Sequence, residues 1–246
     1  MEIKGRMRAR AYDLLSNPQN KNNKSWYSIK NATSDVAEIY LYDEIGYWGV
    51  TAKDFVNALN DVTAGTIQLR VNSPGGDVFD GIAIYNAIKR HPSKCEVTVD
   101  AIAASAASFI CMAGDTVAMT RNSELMIHDA WGLCVGNAAD MRDTADLLDR
   151  FSNNIADIYM QKAGGTVESW RDTMRTEAWY SAQEAVDAGL ADKVEGDSEE
   201  ASNKWDLSVF NYAGRDKAPD PRYSRATNQF KLNTQQFATA LKEAFQ

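Results

Sequence analysis

The chain has 246 residues, of which 44% are hydrophobic and 24% are charged, as is typical of a globular protein with a hydrophobic core. Its net charge of −8 argues against nucleic acid as the main partner, because nucleic-acid-binding proteins usually carry a basic surface. The longest uncharged run, residues 101–114, is shorter than the roughly 20 residues of a membrane span, and no apolar signal segment follows the basic N-terminus. Three scattered cysteines without a CxxC pair suit a reducing compartment, so we expect a cytoplasmic protein.

Strands and helices alternate along the first half of the chain. Residues 1–34 are polar and rich in Asn, which predicts an arm with little core, and ordered structure is expected from about Val36. The segments AEIYLY and TIQLRV have the alternation of strands. GVTAKDFVNALN, with Thr51 as its N-cap and Asp54 in its first turn, and DVFDGIAIYNAIKRH have helical spacing.

The second half continues this alternation. CEVTVDA and ELMIH are predicted strands, and ASAASFICMAG is a predicted short helix. A long helix is predicted from Asn137 to Lys162, and its apolar residues Phe151, Ile155 and Tyr159 are candidates to contact a partner. TVESWRDTM predicts a shorter helix, and a capping box from Ser181 to Glu184 begins another. Such alternation indicates an α/β fold with a largely parallel sheet.

These patterns predict a chain of three parts: a polar N-terminal arm (1–34), a core domain (35–195) and a polar C-terminal tail (196–246). Residues 197–233 are poor in apolar side chains and contain two prolines, which predicts a mobile, exposed stretch. A short terminal helix is predicted from Thr234 to Phe245.

The turn NSPGG lies between a predicted strand and a predicted helix. Its two glycines leave backbone N–H groups accessible beside a helix N-terminus, an arrangement that suits a phosphate or a developing oxyanion. Neither GxxxxGK[ST] nor GxGxxG is present, which weakens the phosphate interpretation, and a plain strand-to-helix turn stays open.

The sequence also contains a candidate serine nucleophile and a candidate histidine base. Ser105 lies where a strand passes into a helix, as the serine of a nucleophile elbow does, although close packing explains both Ser105 and Ser108 equally well on local grounds. Of the two histidines, His91 lies at a helix end and His128 ends an apolar strand, so His128 is the better candidate base.

An acid that orients the histidine is needed to complete such a site. Asp129, Asp172 and Glu177 are the local candidates, each of which is equally well a solvated surface charge. The sequence contains no HExxH and no Cys/His cluster, so no metal site is predicted.

These motifs together resemble the ClpP-type serine peptidases. The similarity covers roughly residues 36–194 and rests on VNSPGGDVFDGIAIYNAI, AIAASAASF, LMIHDAWG and RTEAWYSAQEAVDAGLAD. It implies a ClpP/crotonase-like α/β fold with repeated β-β-α and βα units and a protruding long helix. It also implies that Ser105, in the AAS triplet, is the nucleophile, that His128, in MIH, is the base, and that Ser108 packs.

The resemblance also assigns the remaining site residues. The family acid falls on Glu177, four residues before the serine that opens SAQEA; the family often has Asp there, so Asp172 is the reserve. The backbone N–H groups of Gly76 and Ala106 form the implied oxyanion hole. No cofactor is expected, and a ring-like homo-oligomer without membrane or nucleic-acid partners is implied.

The chain resembles one branch of that family more closely than the rest. SWYSIKNA, EIYLYDEIG, GVTAKDF and NSPGGDVFDGIAIYNAI resemble the ClpP-related head maturation proteases of tailed phages and prophages. This resemblance implies capsid and scaffold proteins as substrates within the assembling prohead. Three alternatives stay open: a crotonase-like acyl-CoA hydratase or isomerase, a non-catalytic ClpP-like shell protein, and a housekeeping ClpP that works with an unfoldase.

Overall fold

The structure is a computed structural model that describes residues 35–196, 212–214 and 217. Its strands are β1 (Val36–Leu41), β2 (Thr66–Ser73), β3 (Lys94–Ala104), β4 (Thr116–Thr120), β5 (Glu124–Ile127), β6 (Ala178–Ser181) and β7 (Lys193–Glu195). Its helices are α1 (Ala52–Asn60), α2 (Val78–Arg90), α3 (Ala106–Cys111), α4 (Ala138–Ala163), α5 (Val167–Arg175) and α6 (Ala182–Ala188). The predicted arm and the predicted terminal helix lie outside the described residues.

The strands form one mixed sheet in which parallel pairs dominate. Strands β1, β2, β3, β4 and β7 follow one another as parallel neighbours, and β5 branches off β3, also in parallel. Of the strands within residues 35–196, only β6 runs antiparallel, against β5. The largely parallel α/β sheet that the sequence predicts is therefore confirmed.

Capping residues fix where the helices begin. The Thr51 side chain accepts a hydrogen bond from the backbone N–H of Asp54, as predicted. Ser181 and Glu184 form the predicted capping box at the start of α6. Such caps satisfy backbone donors that have no partner inside the helix, and they therefore define the first turn.

The long helix α4 has two different halves. Ile155 and Tyr159, in its second half, are 3% and 1% exposed and belong to the protein's own core. The prediction that they contact a partner is therefore wrong for both, because their apolar face is already covered. The first half is exposed and includes Met141, which is 52% accessible.

Three strands were not predicted. Strands β4, β6 and β7 have only three to five residues each, too few for an alternating pattern to stand out. Strand β3, in contrast, runs further than CEVTVDA and includes the alanines up to Ala104. Among the described residues, no helix is long and apolar enough to cross a membrane.

Candidate active site

Ser105 occupies a strained turn between β3 and α3. Its φ of 54° and ψ of −121° lie in a region that side-chain-bearing residues rarely adopt. The Ser105 backbone N–H donates to the Met126 carbonyl at 2.9 Å, which ties the turn to β5. Because β3 ends one residue earlier, the strand and the helix together fix the direction of the hydroxyl.

His128 follows directly after β5 and meets that hydroxyl. The distance from its Nε2 to the Ser105 Oγ is 2.7 Å, within hydrogen-bonding range. Burial lowers the pKa of His128, while the negative charges of Glu177 and Asp129 oppose this shift. A lowered pKa keeps the imidazole neutral near pH 7, which is the form that accepts a proton.

The sheet topology brings the candidate residues to one edge. Strands β3 and β5 are parallel, so the positions just after their ends, Ser105 and His128, are neighbours. Strand β6 is antiparallel to β5, so Glu177, which precedes β6, lies at the same edge. In the described part of the chain, Ser105 and Glu177 are the only non-glycine residues with positive φ, and both have a φ of 54°.

The two candidate acids have different surroundings. Glu177 is close enough to raise the pKa of His128, although no hydrogen bond joins the two side chains within the described ranges. Its carboxylate instead accepts from the Trp179 indole N–H at 2.9 Å and from two backbone N–H groups. Asp172 lies on the exposed face of α5, where it pairs with Arg175 at 2.5 Å. The geometry therefore favours Glu177 over Asp172.

The NSPGG turn lies against the nucleophile. A Cβ atom on Gly75, whose φ is +91°, would stand 2.7 Å from the Ser105 Cβ and 2.8 Å from the Ala106 nitrogen. A Cβ on Gly76 would collide with the Ile45 carbonyl oxygen at 2.0 Å. Glycine is therefore required at both positions for this close approach. The Ala106 N–H, as the first of α3, has no acceptor within its helix.

Ser108 lies in the core, away from this surface. It is fully buried, its hydroxyl donates to the Ser105 carbonyl at 2.5 Å, and it lies 2.7 Å from the Tyr159 hydroxyl. These contacts match the expectation that Ser108 fills a packing position. They also connect the nucleophile turn to the buried half of α4.

Arg171 holds the segment that follows His128. It is 4% exposed, and its guanidinium donates to both carboxylate oxygens of Asp129, at 3.1 and 3.2 Å. It also donates to Asp149 and Asn153 on α4. Asp129, a third candidate acid, is therefore committed to a structural ion pair.

Comparison with known proteins gives a consistent picture. A family profile described as "Clp protease" matches residues 20–198, well over half of the chain. The chain belongs to the Clp protease family.

Individual relatives show the extent of the similarity. The chain is 34% identical to an "ATP-dependent Clp protease proteolytic subunit 1" of Protochlamydia amoebophila, over 53% of its own length and 65% of the relative's. It is 31% identical to a protein of the same name from Leifsonia xyli, over 52% and 66% of the two chains. A proteolytic subunit of Bacteroides fragilis is 29% identical over 65% of this chain and 83% of its own. The chain thus spans slightly less than two thirds of the first two relatives.

Membership of the Clp protease family confirms the predicted ClpP-type α/β fold.

One part of the site was not predicted at all: Tyr212, from the polar tail, lies edge-on to the His128 ring with centroids 5.3 Å apart. The prediction of an exposed, mobile stretch is wrong at this residue, because Tyr212 packs on a small apolar cluster that includes Trp179. The available signal was the aromatic pair in VFNYAG, within an otherwise polar tail.

Proposed function

We propose that this Clp protease family member is a serine peptidase, with Ser105 as nucleophile and His128 as general base. The observation that supports it best is the 2.7 Å contact between the Ser105 Oγ and the His128 Nε2, made by a serine on a strained strand-to-helix turn. A strained backbone at a nucleophile is typical of catalytic turns, since the surrounding structure must maintain it.

The proposed reaction transfers a peptide acyl group first to Ser105 and then to water. His128 Nε2 takes the hydroxyl proton as Oγ attacks the carbonyl carbon, and it returns that proton to the departing amine. Water then attacks the acyl-serine by the same route and releases the carboxylate product. The N–H groups of Gly76 and Ala106 stabilise the tetrahedral oxyanion, each contributing about 3–4 kcal/mol.

Glu177 is proposed as the residue that orients His128. Its negative charge raises the pKa of the imidazole and stabilises the imidazolium that forms during the reaction. Asp172 is the reserve candidate, and its exposure and its pairing with Arg175 count against it. Replacing each acid by alanine in turn distinguishes the two candidates. We expect the large loss of turnover in Glu177→Ala, and a large loss in Asp172→Ala alone would reverse the assignment.

A serine-directed fluorophosphonate probe tests the function directly. We expect it to modify Ser105, as mapped by mass spectrometry, and peptide hydrolysis to disappear in Ser105→Ala. Ser108→Ala, its matched control, should still be labelled. Absence of labelling in a folded protein would favour the non-catalytic shell protein, and tight coenzyme A binding would favour the crotonase-like enzyme.

We further propose that the active form is a homo-oligomer. A continuous segment before and within the first half of α4 exposes large apolar side chains, namely Trp131, Leu133, Val135, Met141 and Leu147. Leu133 and Val135 are 89% and 90% exposed, an arrangement typical of a surface that another copy covers. Sedimentation at micromolar concentration should show an assembly that a Leu133→Glu/Val135→Glu double variant loses, and a wild-type monomer at all concentrations would contradict the proposal.

The finer proposal is that the peptidase acts in phage head maturation, on capsid and scaffold proteins. It is supported by the resemblance of SWYSIKNA, EIYLYDEIG and GVTAKDF to that branch of the family. Portal and major capsid genes beside the gene for this protein would support it. A neighbouring unfoldase gene without capsid genes would instead favour a housekeeping Clp subunit.

A further inference from the structure

Residues 212–214, which we call the YAG segment, lie on the candidate active site. The Tyr212 hydroxyl donates to the Pro74 carbonyl of the NSPGG turn at 2.5 Å. Its ring lies edge-on to His128 and, with centroids 6.3 Å apart, to Trp179. The YAG segment therefore reaches both the base and the turn that carries the oxyanion donor.

The surroundings of Tyr212 include the nucleophile as well. Burial raises the pKa of the Tyr212 hydroxyl, and the Ser105 side chain partly opposes that rise. The hydroxyl that donates to the Pro74 carbonyl therefore lies in the electrostatic environment of Ser105. Pro74 belongs to the NSPGG turn, and Gly75 of that turn lies against Ser105 and the Ala106 nitrogen, so Tyr212 stands on the side of the serine where the proposed oxyanion donors belong.

The next two residues of the YAG segment bind the candidate acid. The Ala213 N–H donates to one Glu177 carboxylate oxygen at 2.7 Å, and the Gly214 N–H donates to the other at 2.9 Å. Hydrogen bonds to an ionised carboxylate are roughly twice as strong as neutral ones. With Trp179 as a third donor, both carboxylate oxygens accept hydrogen bonds, and within the described ranges none of these bonds comes from His128.

We propose that the YAG segment is an autoinhibitory element that occupies the peptide-binding position of this site. This proposal rests on the proposed peptidase function, since the YAG segment can inhibit the enzyme only if Ser105 is the nucleophile. In the closed form Tyr212 covers the serine and Glu177 is withheld from the imidazole. A peptide substrate then binds only the fraction of molecules in which the segment has left.

The segment is short and partly open to solvent. Its hydrogen bonds to Pro74 and Glu177 and the Tyr212 ring contribute to holding it, and Ala213 is exposed. Loss of a single such contact changes the closed-to-open ratio by roughly tenfold. A substrate that fills the Tyr212 position displaces the segment in the same way.

The rate of fluorophosphonate labelling at Ser105 in the full chain tests the proposal. Tyr212→Ala removes the covering ring, and Ala213→Pro removes the N–H that binds Glu177. We expect each variant to be labelled roughly tenfold faster than wild type. Lys217→Ala is the matched control, because its exposed side chain makes none of these contacts, and it should react at the wild-type rate. Wild-type or slower labelling of Tyr212→Ala and Ala213→Pro would overturn the proposal.

Hydrogen exchange gives a readout that does not depend on activity. Amides of the YAG segment should be protected in the wild type and should lose protection in Glu177→Ala, since that carboxylate is their acceptor. If the YAG segment is protected but Ser105 never reacts in any variant, the peptidase function fails and inhibition fails with it. If Ser105 reacts and the YAG segment is unprotected, only the autoinhibition is wrong.

Discussion

Replacing Gly75 by alanine should inactivate the nucleophile without unfolding the protein. The new Cβ would stand 2.5 Å from the Ala104 carbonyl oxygen and 2.7 Å from the Ser105 Cβ, about 0.7–0.9 Å closer than an ordinary contact of ~3.4 Å. The neighbouring atoms are backbone and a short side chain, so the nucleophile turn itself must move. A displacement approaching 1 Å at a reacting group costs roughly 10²-fold in rate.

Backbone strain adds a separate cost, and a second glycine measures it. Gly75 has a φ of +91°, where an L-residue costs about 1–2 kcal/mol. Gly164, at the end of α4, has a φ of +77°, but no atom of the described residues comes within 4 Å of its added Cβ. Gly164→Ala should therefore lose a similar amount of unfolding free energy and keep its reactivity.

The assay combines fluorophosphonate labelling of Ser105 with chemical denaturation of both glycine variants. We expect roughly 10²-fold slower labelling of Gly75→Ala than of Gly164→Ala under conditions in which denaturation shows both variants to be folded. Wild-type labelling of a folded Gly75→Ala would refute the view that this turn positions the nucleophile. Equal loss of labelling in both variants would point to general destabilisation instead.

Other predictions concern the base, the packing serine and a buried ion pair. Because burial lowers the pKa of His128, kcat/KM should fall on acidification at a lower pH than an exposed histidine would give; Glu177→Gln should shift this fall to still lower pH, and a shift to higher pH would contradict the assignment. Ser108→Ala should lower the unfolding free energy by about 1–3 kcal/mol in denaturant titrations, because it leaves a buried hydroxyl with one partner fewer, yet keep serine labelling; loss of labelling would contradict its packing role. Arg171→Met should cost about 1.5–3 kcal/mol, because a buried guanidinium loses its bonds to partly exposed carboxylates, whereas Arg175→Met, at an exposed pair, should cost less than about 1 kcal/mol; equal costs would argue against the structural role of Arg171.

Most of the fold was predictable because its elements carry long, clear patterns. The helices that follow Thr51 and precede Gly164 have both an apolar face and a terminal signal, and their bounds agree with the prediction to within a residue or two. Short strands such as β7 are defined by pairing with a neighbour, which a local pattern does not encode. The burial of Ile155 was also missed. The apolar face of a helix has the same sequence pattern whether it packs on the protein's own core or on a partner.

The site was predictable to a different degree at each residue. Ser105 and His128 stand in motifs with recognisable neighbours, and the structure brings their side chains within hydrogen-bonding distance. The residues alone did not decide which acid orients His128. Glu177 reaches this edge of the sheet only because β6 pairs antiparallel with β5, and local sequence does not encode that pairing. Tyr212 was missed because its contacts with His128 and Pro74 span 84 and 138 residues of chain and leave no periodic trace.

The strained backbone of Ser105 and Glu177 has a consequence for how the sequence can vary. Each residue has a φ of 54°, a geometry that glycine adopts without penalty and that costs other residues about 1–3 kcal/mol. Glycine at position 105 would relieve this cost but lack the hydroxyl on which the proposed chemistry depends, whereas glycine at position 177 would also lose a carboxylate that accepts three hydrogen bonds. Selection for thermostability alone would therefore favour glycine at position 105, so retention of Ser105 during laboratory evolution would report on whether the site is in use.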